Sequence, residues 1–382
     1  KFLNDKMGQE PVYLSNVETV LTEDLLLNRL ENRGFFYSSA TSSIQENESK
    51  KTARVSYKVS LTEPYRLENY KLDSDSLLIY KEIEKYLPDT PIEKGMRFDL
   101  PLLKFERERL DRKLKETGYY NFNSGFLIFE ADTNQYSNKR FDLFLRLKKE
   151  VPVKSIIPYK ISKVNIYPNY VIGNDTIKQD TVRYQGKRFI QAEEFFKPKR
   201  LDPYVLIDEG AFYSPSNSRN TSRRLASIGA YKFVNIRYDE IDTLATDSLG
   251  ILEASIFLSP LNKRAIRAEL QAITKSNNFA GPNLAVTLSN RNLFHGGETL
   301  NISAKFGYEV QVAGGDRKGL SSIQLGLGAD LIFPRLLFPI SLDENWFEYS
   351  IPKTRFRLEG AYLNRIVLIS LGFCSSLCLI PC

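Results

Sequence analysis

The sequence predicts an α+β protein in which modules of the order β-α-α-β-β are repeated and are followed by the first strands of an incomplete antiparallel transmembrane β-barrel. Two observations predict this arrangement. A basic helix ends at a glycine followed by aromatic residues in three stretches, RLENRGFFYS (29–38), KLKETGYYNF (113–122) and RLASIGAYKF (224–233). After residue 262 the helical periodicity gives way to long stretches in which apolar and polar residues alternate.

The composition favours β structure and gives no sign of nucleic-acid binding. Aromatic residues make up 12% of the 382 residues, with 24 Phe and 21 Tyr, and such rings pack well on pleated surfaces. The net charge of +7 is spread along the chain, whereas a nucleic-acid-binding domain concentrates its basic charge. We therefore expect no nucleic-acid partner. No cysteine precedes Cys374, which is compatible with an oxidising compartment.

The clearest module surrounds Gly118. Asp99 is placed to cap a helix and Pro101 fits its first turn, so LLKFERERLDRKLKETG predicts a helix that runs to the glycine. Before this helix, YRLENYKL predicts a strand and SLLIYKEIEKYL a first helix. After it, GFLIFEAD and KRFDLFLRLKK predict a hairpin. The predicted order over residues 64–150 is therefore strand, helix, helix, strand, strand.

Two further stretches repeat this order in whole or in part. In the third copy, ISKVNIYP predicts the strand, LDPYVLIDEG a short first helix, SNSRNTSRRLASIG the second helix, and FVNIRYDEI with GILEASIFLSP the hairpin. The first copy contains only the second half, a helix at 22–33 and strands near 36–46 and 52–62. Its opening strand and first helix are expected to be absent or rebuilt in residues 1–21.

The glycine at each helix end is expected to supply a left-handed turn, and the following aromatic residues to pack the helix onto the sheet. One Gly-aromatic pair is ordinary capping, but three copies, each followed by a hairpin, indicate a repeated domain. The stretches LENRGFFYSS, LKETGYYNF and LASIGAYKFVNI resemble the POTRA domains of BamA/TamA-type outer-membrane assembly factors. The residues of this helix-end motif are Gly34, Phe35, Gly118, Tyr119, Gly229 and Tyr231.

The segment after residue 262 has the pattern of membrane-spanning strands. NISAKFGYEVQV (301–312) and SIQLGLGADLIF (322–333) alternate throughout, which suits a tilted membrane strand of about 9–11 residues better than a soluble strand of about 5–6. A soluble antiparallel sheet with one wet face is the alternative. The polar face carries charges that suit a barrel lumen, namely Arg267, Glu269, Lys305, Glu309, Arg357 and Glu359. Aromatic residues near the strand ends suit the membrane interfaces, namely Phe294, Phe333, Phe338, Trp346, Phe347 and Tyr349.

RNLFHGGETL (291–300) strengthens the resemblance, because a turn of this composition is typical of the second barrel hairpin in these proteins. Its motif residues are Asn292, Leu293, Phe294, Gly296 and Gly297. The resemblance implies a barrel of about sixteen strands, whereas the strand spacing over residues 263–365 predicts about five. Because an open sheet would leave unpaired edges in lipid, the sequence is interpreted as truncated.

The last residues, IVLISLGFCSSLCLIPC (366–382), break the alternation and are interpreted as an aberrant apolar tail, with a tail anchor as the alternative. Their three cysteines lack the paired spacing of a zinc site. The predicted domains are a partial POTRA domain at 1–63, POTRA domains at 64–150 and 151–261, N-terminal barrel strands at 262–365, and the tail at 366–382.

No residue pattern predicts catalysis, a cofactor or a metal site. His295, the only histidine, lies in a predicted hairpin turn, so no base stands beside a nucleophile. The glycine-rich VAGGDRKG (312–319) lacks the spacing of a phosphate-binding loop. We therefore expect the chain not to be an enzyme.

The resemblance implies a component that assembles or translocates proteins at a cell outer membrane. POTRA domains in the periplasm would receive unfolded outer-membrane proteins by β-augmentation, and a barrel in outer-membrane lipid would insert them. Periplasmic or inner-membrane assembly partners are also implied. The alternatives are a two-partner-secretion-type pore and a soluble periplasmic binding scaffold.

Client binding is predicted at two strands. The second strand of each module is expected to be a free edge, with Phe126 and Ile128 on it in the second module, and contact with a neighbouring module is its alternative role. A proline at Ile128 is expected to weaken client binding by removing a ladder donor. The first barrel strand, KRAIRAELQAI, contributes Ile266, Ala268 and Leu270, since the resemblance implies a weak seam there.

Overall fold

The chain folds into two compact units, Lys1–Ile157 and Pro158–Cys382. A computed structural model describes residues 12–73, 75–136, 138–171, 180–241, 248–276, 279–311, 321–337 and 351–363, and the backbone of residues 366–376. The predicted interface residues Phe338, Trp346, Phe347 and Tyr349, the glycine-rich stretch 312–319 and the end of the tail lie outside the described residues.

The described part of the first module consists of a 3-10 turn at Leu14–Asn16, one α-helix and one hairpin. Helix α1 spans Thr19–Glu31, and strands β1 (Ser39–Asn47) and β2 (Thr52–Ser60) pair antiparallel. None of the residues in these three elements is buried. The helix and the hairpin therefore form half of a module, as the sequence predicts, and have no core of their own.

The second module has all five predicted elements in the predicted order. Strand β3 (Arg66–Leu72) is followed by helices α2 (Leu78–Glu84) and α3 (Leu100–Glu116) and by strands β4 (Leu127–Asp132) and β5 (Arg140–Leu147). The sheet order is β3-β5-β4, with β3 parallel and β4 antiparallel to β5. The central position of β5 leaves β4 on one outer edge of the sheet.

Local sequence signals explain the long helix of this module. The Asp99 side chain accepts a hydrogen bond from Leu102 N at 3.2 Å, and proline occupies the first turn. Leu103, Leu110 and Leu114 are buried because their spacing places them on one helix face. At 17 residues α3 is the longest described helix, and none of the described helices has the length and apolar character needed to cross a membrane.

The third module differs from its prediction in its first half. Strand β6 (Tyr159–Tyr167) is followed by an unpredicted hairpin of β7 (Asp180–Tyr184) and β8 (Lys187–Gln191). The helix predicted at 201–210 is reduced to one turn, α4 (Pro198–Leu201), with a 3-10 turn at Asp202–Tyr204. Pro203 contributes to this, because it has no N–H with which to continue the hydrogen bonds of α4. Gln185 and Gly186, both with positive φ, form the two-residue turn of the hairpin.

The second half of the third module follows the prediction. Helix α5 (Pro215–Ser227) precedes strands β9 (Tyr231–Glu240) and β10 (Gly250–Pro260), and the sheet order is β7-β8-β6-β10-β9. The core lies between this sheet and α5, with Val164, Leu225 and Ile256 buried. Strand β9 therefore occupies an outer edge, as β4 does in the second module.

Six antiparallel strands, each paired with the next in sequence, form what is called here the long-strand sheet. They are β11 (Arg264–Thr274), β12 (Phe279–Arg291), β13 (Thr299–Gln311), β14 (Ser321–Phe333), β15 (Lys353–Leu363) and β16 (Ile366–Ser376). Strand β16 comes from the segment predicted to be an aberrant tail, and it pairs with β15 from Leu363↔Ile366 to Lys353↔Ser376. Backbone pairing explains this, since it does not require the side-chain alternation that the segment lacks.

The long-strand sheet has one apolar and one charged face. The register aligns apolar side chains in rows, such as Ile266, Leu288, Ile302, Ala329 and Leu358. The other face carries ion pairs, Lys275 with Glu309 at 2.7 Å and Asp330 with Arg355 at 2.7 Å and Arg357 at 2.8 Å. The repeated α+β modules and this sheet confirm the predicted fold class.

The second module's stability is predicted to depend on α3. Leu110→Ala is expected to lower the module's free energy of unfolding by about 2–5 kcal/mol, because the side chain is fully buried and its removal leaves a cavity. Leu78→Ala in α2 is the control, since that side chain is 57% exposed, and a change within about 0.5 kcal/mol is expected. Hydrogen exchange of the slowest amides in α3 measures the free energy of unfolding of both variants. Equal losses in the two variants would contradict the core role of Leu110.

Candidate functional site: strand edges and the docking turn

All three helix-end glycines adopt the left-handed backbone. Their φ angles are 88° at Gly34, 108° at Gly118 and 80° at Gly229, a region that residues with a Cβ rarely adopt. In the first two copies the aromatic residue after the glycine donates its N–H to the carbonyl five residues earlier, Phe35 to Leu30 at 3.0 Å and Tyr119 to Leu114 at 3.2 Å. This bond is typical of a Schellman helix end.

The aromatic residues after these glycines have two different roles. Tyr119 is buried in the core of its own module, and Tyr231 stacks on Phe196 in the third module with 6.0 Å between the ring centroids. Phe35 instead lies under the Arg97 guanidinium, and the next residue, Phe36, contacts Tyr65 and Phe98 of the second module. The first copy thus uses its aromatic residues to join two modules, which the sequence motif does not reveal.

Strand β4 has a free edge, but the predicted residues do not form it. Lys148 N donates to Phe126 O at 2.9 Å, which fixes the register so that even-numbered residues of β4 bond to β5. Phe126 lies in the 3-10 turn before the strand, and the Ile128 N–H faces β5. The outward backbone groups belong to Leu127, Phe129 and Ala131, and of these the Leu127 N–H already donates to Ser124 O.

Strand β11 is an outer edge of the long-strand sheet, and here the predicted residues do form the edge. Arg291 N donates to Lys263 O and Lys275 N to Phe279 O, each at 2.7 Å, so the odd-numbered residues of β11 bond to β12. The backbone groups of Ile266, Ala268 and Leu270 therefore point away from the sheet. Ile266 is 75% and Leu270 76% exposed.

The turn between β12 and β13 packs against the third module and is called here the docking turn (Asn292–Glu298). Leu293 N donates to Glu298 O at 3.0 Å and closes the turn. Asn292 is buried with φ 56°; its Oδ1 accepts from Gly297 N at 3.0 Å and its Nδ2 donates to Phe195 O at 2.6 Å. One asparagine side chain therefore shapes the turn and binds it to the third module.

The loop that receives the docking turn is itself fixed by a buried side chain. Gln191, at the end of β8, accepts hydrogen bonds from Phe195 N at 3.1 Å and Phe196 N at 3.2 Å, and donates to Phe196 O at 3.1 Å. The loop then donates through Lys197 N to His295 O at 2.8 Å. Nδ1 of His295 lies 2.5 Å from Glu194 O. His295 therefore serves as a contact residue in this interface.

A buried ion pair holds the docking turn closed. Glu298, only 1% exposed, accepts from Gly296 N at 3.0 Å and lies 2.7 Å from Arg335 Nη2. Arg335 also donates to Gly296 O at 3.2 Å. Burial alone would raise the pKa of Glu298, but the hydrogen bonds from Arg335 and from backbone N–H groups outweigh it, so the pKa lies below its ordinary value of 4.5.

Gly297 is required in the docking turn for two reasons. Its φ is 83°, and a Cβ at this position would lie 2.6 Å from Ile228 Cγ2 and 3.0 Å from Pro334 Cγ. Ile228 directly precedes the helix-end glycine Gly229 of the third module. The docking turn therefore packs on the same helix-end segment that the sequence motif identifies.

The edges of β4 and β11 offer backbone groups for strand pairing, and the docking turn attaches the β12–β13 hairpin to the third module. Within the part of the chain that the structure describes, no group of three or more His, Cys, Asp or Glu residues is placed to hold a metal ion. The one carboxylate of the docking turn, Glu298, accepts hydrogen bonds from Gly296 N and Arg335. The arrangement suits the binding of extended polypeptide to strand edges.

The chain resembles several solved structures at low sequence identity. No model of a protein family and no curated protein sequence matches the chain. Among solved structures, the chain is similar to BamA from Haemophilus ducreyi lacking POTRA domains 1–3, with 13% identity, a TM-score of 0.42 and coverage of 79% of this chain and 52% of that one. The chain therefore spans about half the length of that BamA structure.

Two further solved structures resemble parts of the chain. For POTRA3–5 of Haemophilus influenzae BamA the identity is 15%, the TM-score 0.32, and the coverage 68% of this chain and 89% of that one. For CdiB from Acinetobacter baumannii the identity is 10%, the TM-score 0.31, and the coverage 80% of this chain and 55% of that one.

Gly297→Ala is predicted to detach the docking turn. The added methyl group meets Ile228 and Pro334, and we expect the Lys197 amide to lose its hydrogen-exchange protection because its acceptor, His295 O, moves away. Gly210→Ala is a matched control, since Gly210 has φ 84° but no atom within 4 Å of an added Cβ. It carries only the left-handed backbone cost of about 1–2 kcal/mol. Equal loss of Lys197 protection in both variants would contradict the packing role.

The docking turn is also predicted to loosen in acid. Because the pKa of Glu298 is lowered in the folded protein, its contribution to stability is complete above pH 4.5 and is lost as the pH falls through the lowered value. Protection factors of the Gly296 amide, measured from neutral pH downward, should fall in that range. In Glu298→Gln, the protection factor of the Gly296 amide should be lower at neutral pH and should change less as the pH falls. If the acid transition is unchanged in this variant, the transition belongs to another titratable group.

Proposed function

We propose that this chain is a component of outer-membrane protein assembly or translocation. Its α+β modules lie in the periplasm and receive unfolded client proteins by β-augmentation, and its long-strand sheet lies in the outer membrane and takes part in their insertion. The observation that supports this best is the division of the long-strand sheet into an exposed apolar face and a charged face.

The apolar face is difficult to reconcile with an aqueous environment. Large side chains from several strands are exposed on it, including Leu270, Leu288, Ile302, Leu327 and Leu358. Exposure of apolar area costs about 25 cal/mol per Å² in water, and soluble monomers rarely expose contiguous patches of more than a few hundred Å². Contact with hydrocarbon removes this cost. Strands of 11 to 13 residues are long enough to cross the core when tilted.

The charged face fits a water-filled interior. Its polar groups pair across the strands: Lys305 on β13 lies 3.4 Å from Glu359 on β15, and Gln324 on β14 donates to Glu309 on β13 at 3.3 Å. In outer-membrane strands the side chains alternate between lipid and lumen. A sheet with this alternation therefore needs lipid on one side only.

The free edges supply the client-binding step. Strands β4 and β9 each lie at the outside of a module sheet, with no further strand beside them in the described structure, and such a strand edge binds an extended chain through backbone hydrogen bonds. Such binding needs no particular sequence, which suits a component that handles many unfolded clients. The edge of β11 offers the same groups within the long-strand sheet.

The docking turn connects these two activities. Its hydrogen bonds to Phe195 and Lys197 attach the β12–β13 hairpin to the third module. Because Gly297 packs against Ile228, the end of α5 and the hairpin are in direct contact. We assign to this turn the role of holding the client-binding module at the base of the sheet that inserts clients.

The membrane assignment is tested by placing a charge on each face of β14. Leu325→Lys is expected to destabilise the protein in detergent micelles or lipid by about 2–4 kcal/mol, because the charge enters hydrocarbon. Gln324→Lys, on the charged face beside Glu309, is the matched control and should be tolerated. A wild-type chain that stays monomeric in water without detergent, and tolerates both changes, would instead be a soluble scaffold.

The edge assignment is tested with two prolines on β4. Ala131→Pro removes an outward N–H and should weaken binding of an extended client peptide by about tenfold or more, while the module stays folded. Ile128→Pro removes an N–H that bonds to β5, so it should destabilise the module itself. Circular dichroism and fluorescence anisotropy separate the two effects. Unaltered peptide binding by folded Ala131→Pro would exclude this edge.

A further inference from the structure

A cup lined by aromatic residues lies where the first two modules meet. Its volume is about 210 Å³. Phe36 and Tyr37 of the first module form one wall, and Tyr65, Phe98 and Phe141 of the second module form the other. Ala131 and Thr133, at the end of β4, complete its rim. The cup therefore opens beside the free edge to which we assign client binding.

The lining indicates an aromatic occupant. Phe36 meets Tyr65 edge-to-face with 5.5 Å between centroids, and Phe98 meets Phe141 in the same way at 5.9 Å. Rings favour such tilted contacts, and a further ring entering the cup extends the cluster by the same geometry. A volume of about 210 Å³ is below the range of small-molecule sites, about 300–1,000 Å³, and suits a single side chain.

The charge distribution around the cup favours an uncharged side chain. All of the lining residues are uncharged, and the ionic groups of this joint bind each other. Asp99 pairs with Arg33 and lies 4.0 Å from Arg97, which in turn lies over the Phe35 ring. A charged side chain entering the cup would lose its hydration without gaining a partner.

Tyr37 adds an independent sign of function. It has φ 62° and is 83% exposed, although a bulky residue with positive φ is an outlier. Strain of this kind collects at binding sites. At the rim of the cup, the tyrosine presents its ring to whatever enters.

The register of β4 directs one side chain of a bound strand into the cup. Ala131 has its backbone groups on the outward edge, and a residue paired opposite it projects its side chain to the same side of the sheet. Ala131 and Thr133 both line the cup. A strand added to this edge therefore places the side chain opposite Ala131, or the one opposite Thr133, at the cup opening.

We infer that the cup is a specificity pocket for one uncharged aromatic side chain, Phe or Tyr, of an extended polypeptide paired along β4. The inference rests on the proposed function, because β4 supplies the backbone pairing and the cup adds a side-chain preference. It defines the clients as strands that carry an aromatic residue on one face. An occupied cup also contacts both modules, so binding should hold the first module against the second.

The test compares two synthetic peptides on the full chain in detergent micelles. Both are short, fluorescently labelled and built from alternating Thr and Val, and they differ only in a central residue, Phe in one and Ala in the other. Fluorescence anisotropy is expected to show that the Phe peptide binds about tenfold more tightly, as burial of one ring predicts. Thr133→Phe, which fills the cup from its rim, should abolish the preference.

The possible outcomes separate the pocket from the edge. Equal affinities of the two peptides for the wild-type chain, with both weakened by Ala131→Pro, would overturn the pocket and leave edge binding intact. A preference for Phe that survives Thr133→Phe would also overturn the pocket, because the ring must then bind elsewhere. If Thr133→Phe does not fold, Ala131→Phe fills the cup from the strand and provides the same comparison. If Ala131→Pro leaves the affinities of both peptides unchanged, β4 is not the edge to which the peptides bind.

Discussion

Backbone N–H and C=O groups must be hydrogen-bonded or reach water, and this requirement organises the whole chain. Among the described strands, β5 of the second module is paired on both sides, whereas β4 of that module and β9 of the third module are each paired on one side. In the long-strand sheet the five strand pairs satisfy the backbone N–H and C=O groups between the strands. The outward backbone groups of β11 have no strand beside them in the described structure. An edge that is costly in lipid and prone to pairing in water is the feature that a client-binding protein can use.

Helix ends form two joints, one within each compact unit. At Gly34 a Cβ would lie 2.9 Å from Phe98 O, so the first helix end fits against the start of α3 only as glycine. In the second compact unit, a Cβ at Gly297 would lie 2.6 Å from Ile228 Cγ2, so this joint also requires glycine. The buried pair of Glu298 and Arg335 then fixes the docking turn, and leaving either charge without its partner would cost more than the pair contributes. The joints thus depend on a few residues with little room for substitution.

The sequence predicts what local signals determine and misses what depends on register or distance. Asp99 and Gly118 mark the two ends of α3, because capping residues act within one helical turn. The alternation of apolar and polar residues predicts which side chains of β13 and β14 share a face. Ile128 was the wrong residue for a proline test of the edge, because strand parity is set by pairing with β5. The partnership of Glu298 with Arg335 was missed since 37 positions separate them. The β7–β8 hairpin had a signal, the Gln185–Gly186 turn, that the repeat pattern obscured.

Strand parity on the two edges has a consequence for how a client binds. On β4 the residues with outward backbone groups, such as Leu127 and Ala131, have side chains on the core side of the sheet; on β11 those residues, Ile266 and Leu270, have side chains on the apolar face. An amphipathic client strand therefore satisfies both edges with the same set of apolar residues. On either edge, the client residues whose backbone groups bond to the strand are the apolar ones, so the same hydrogen-bond parity serves both edges.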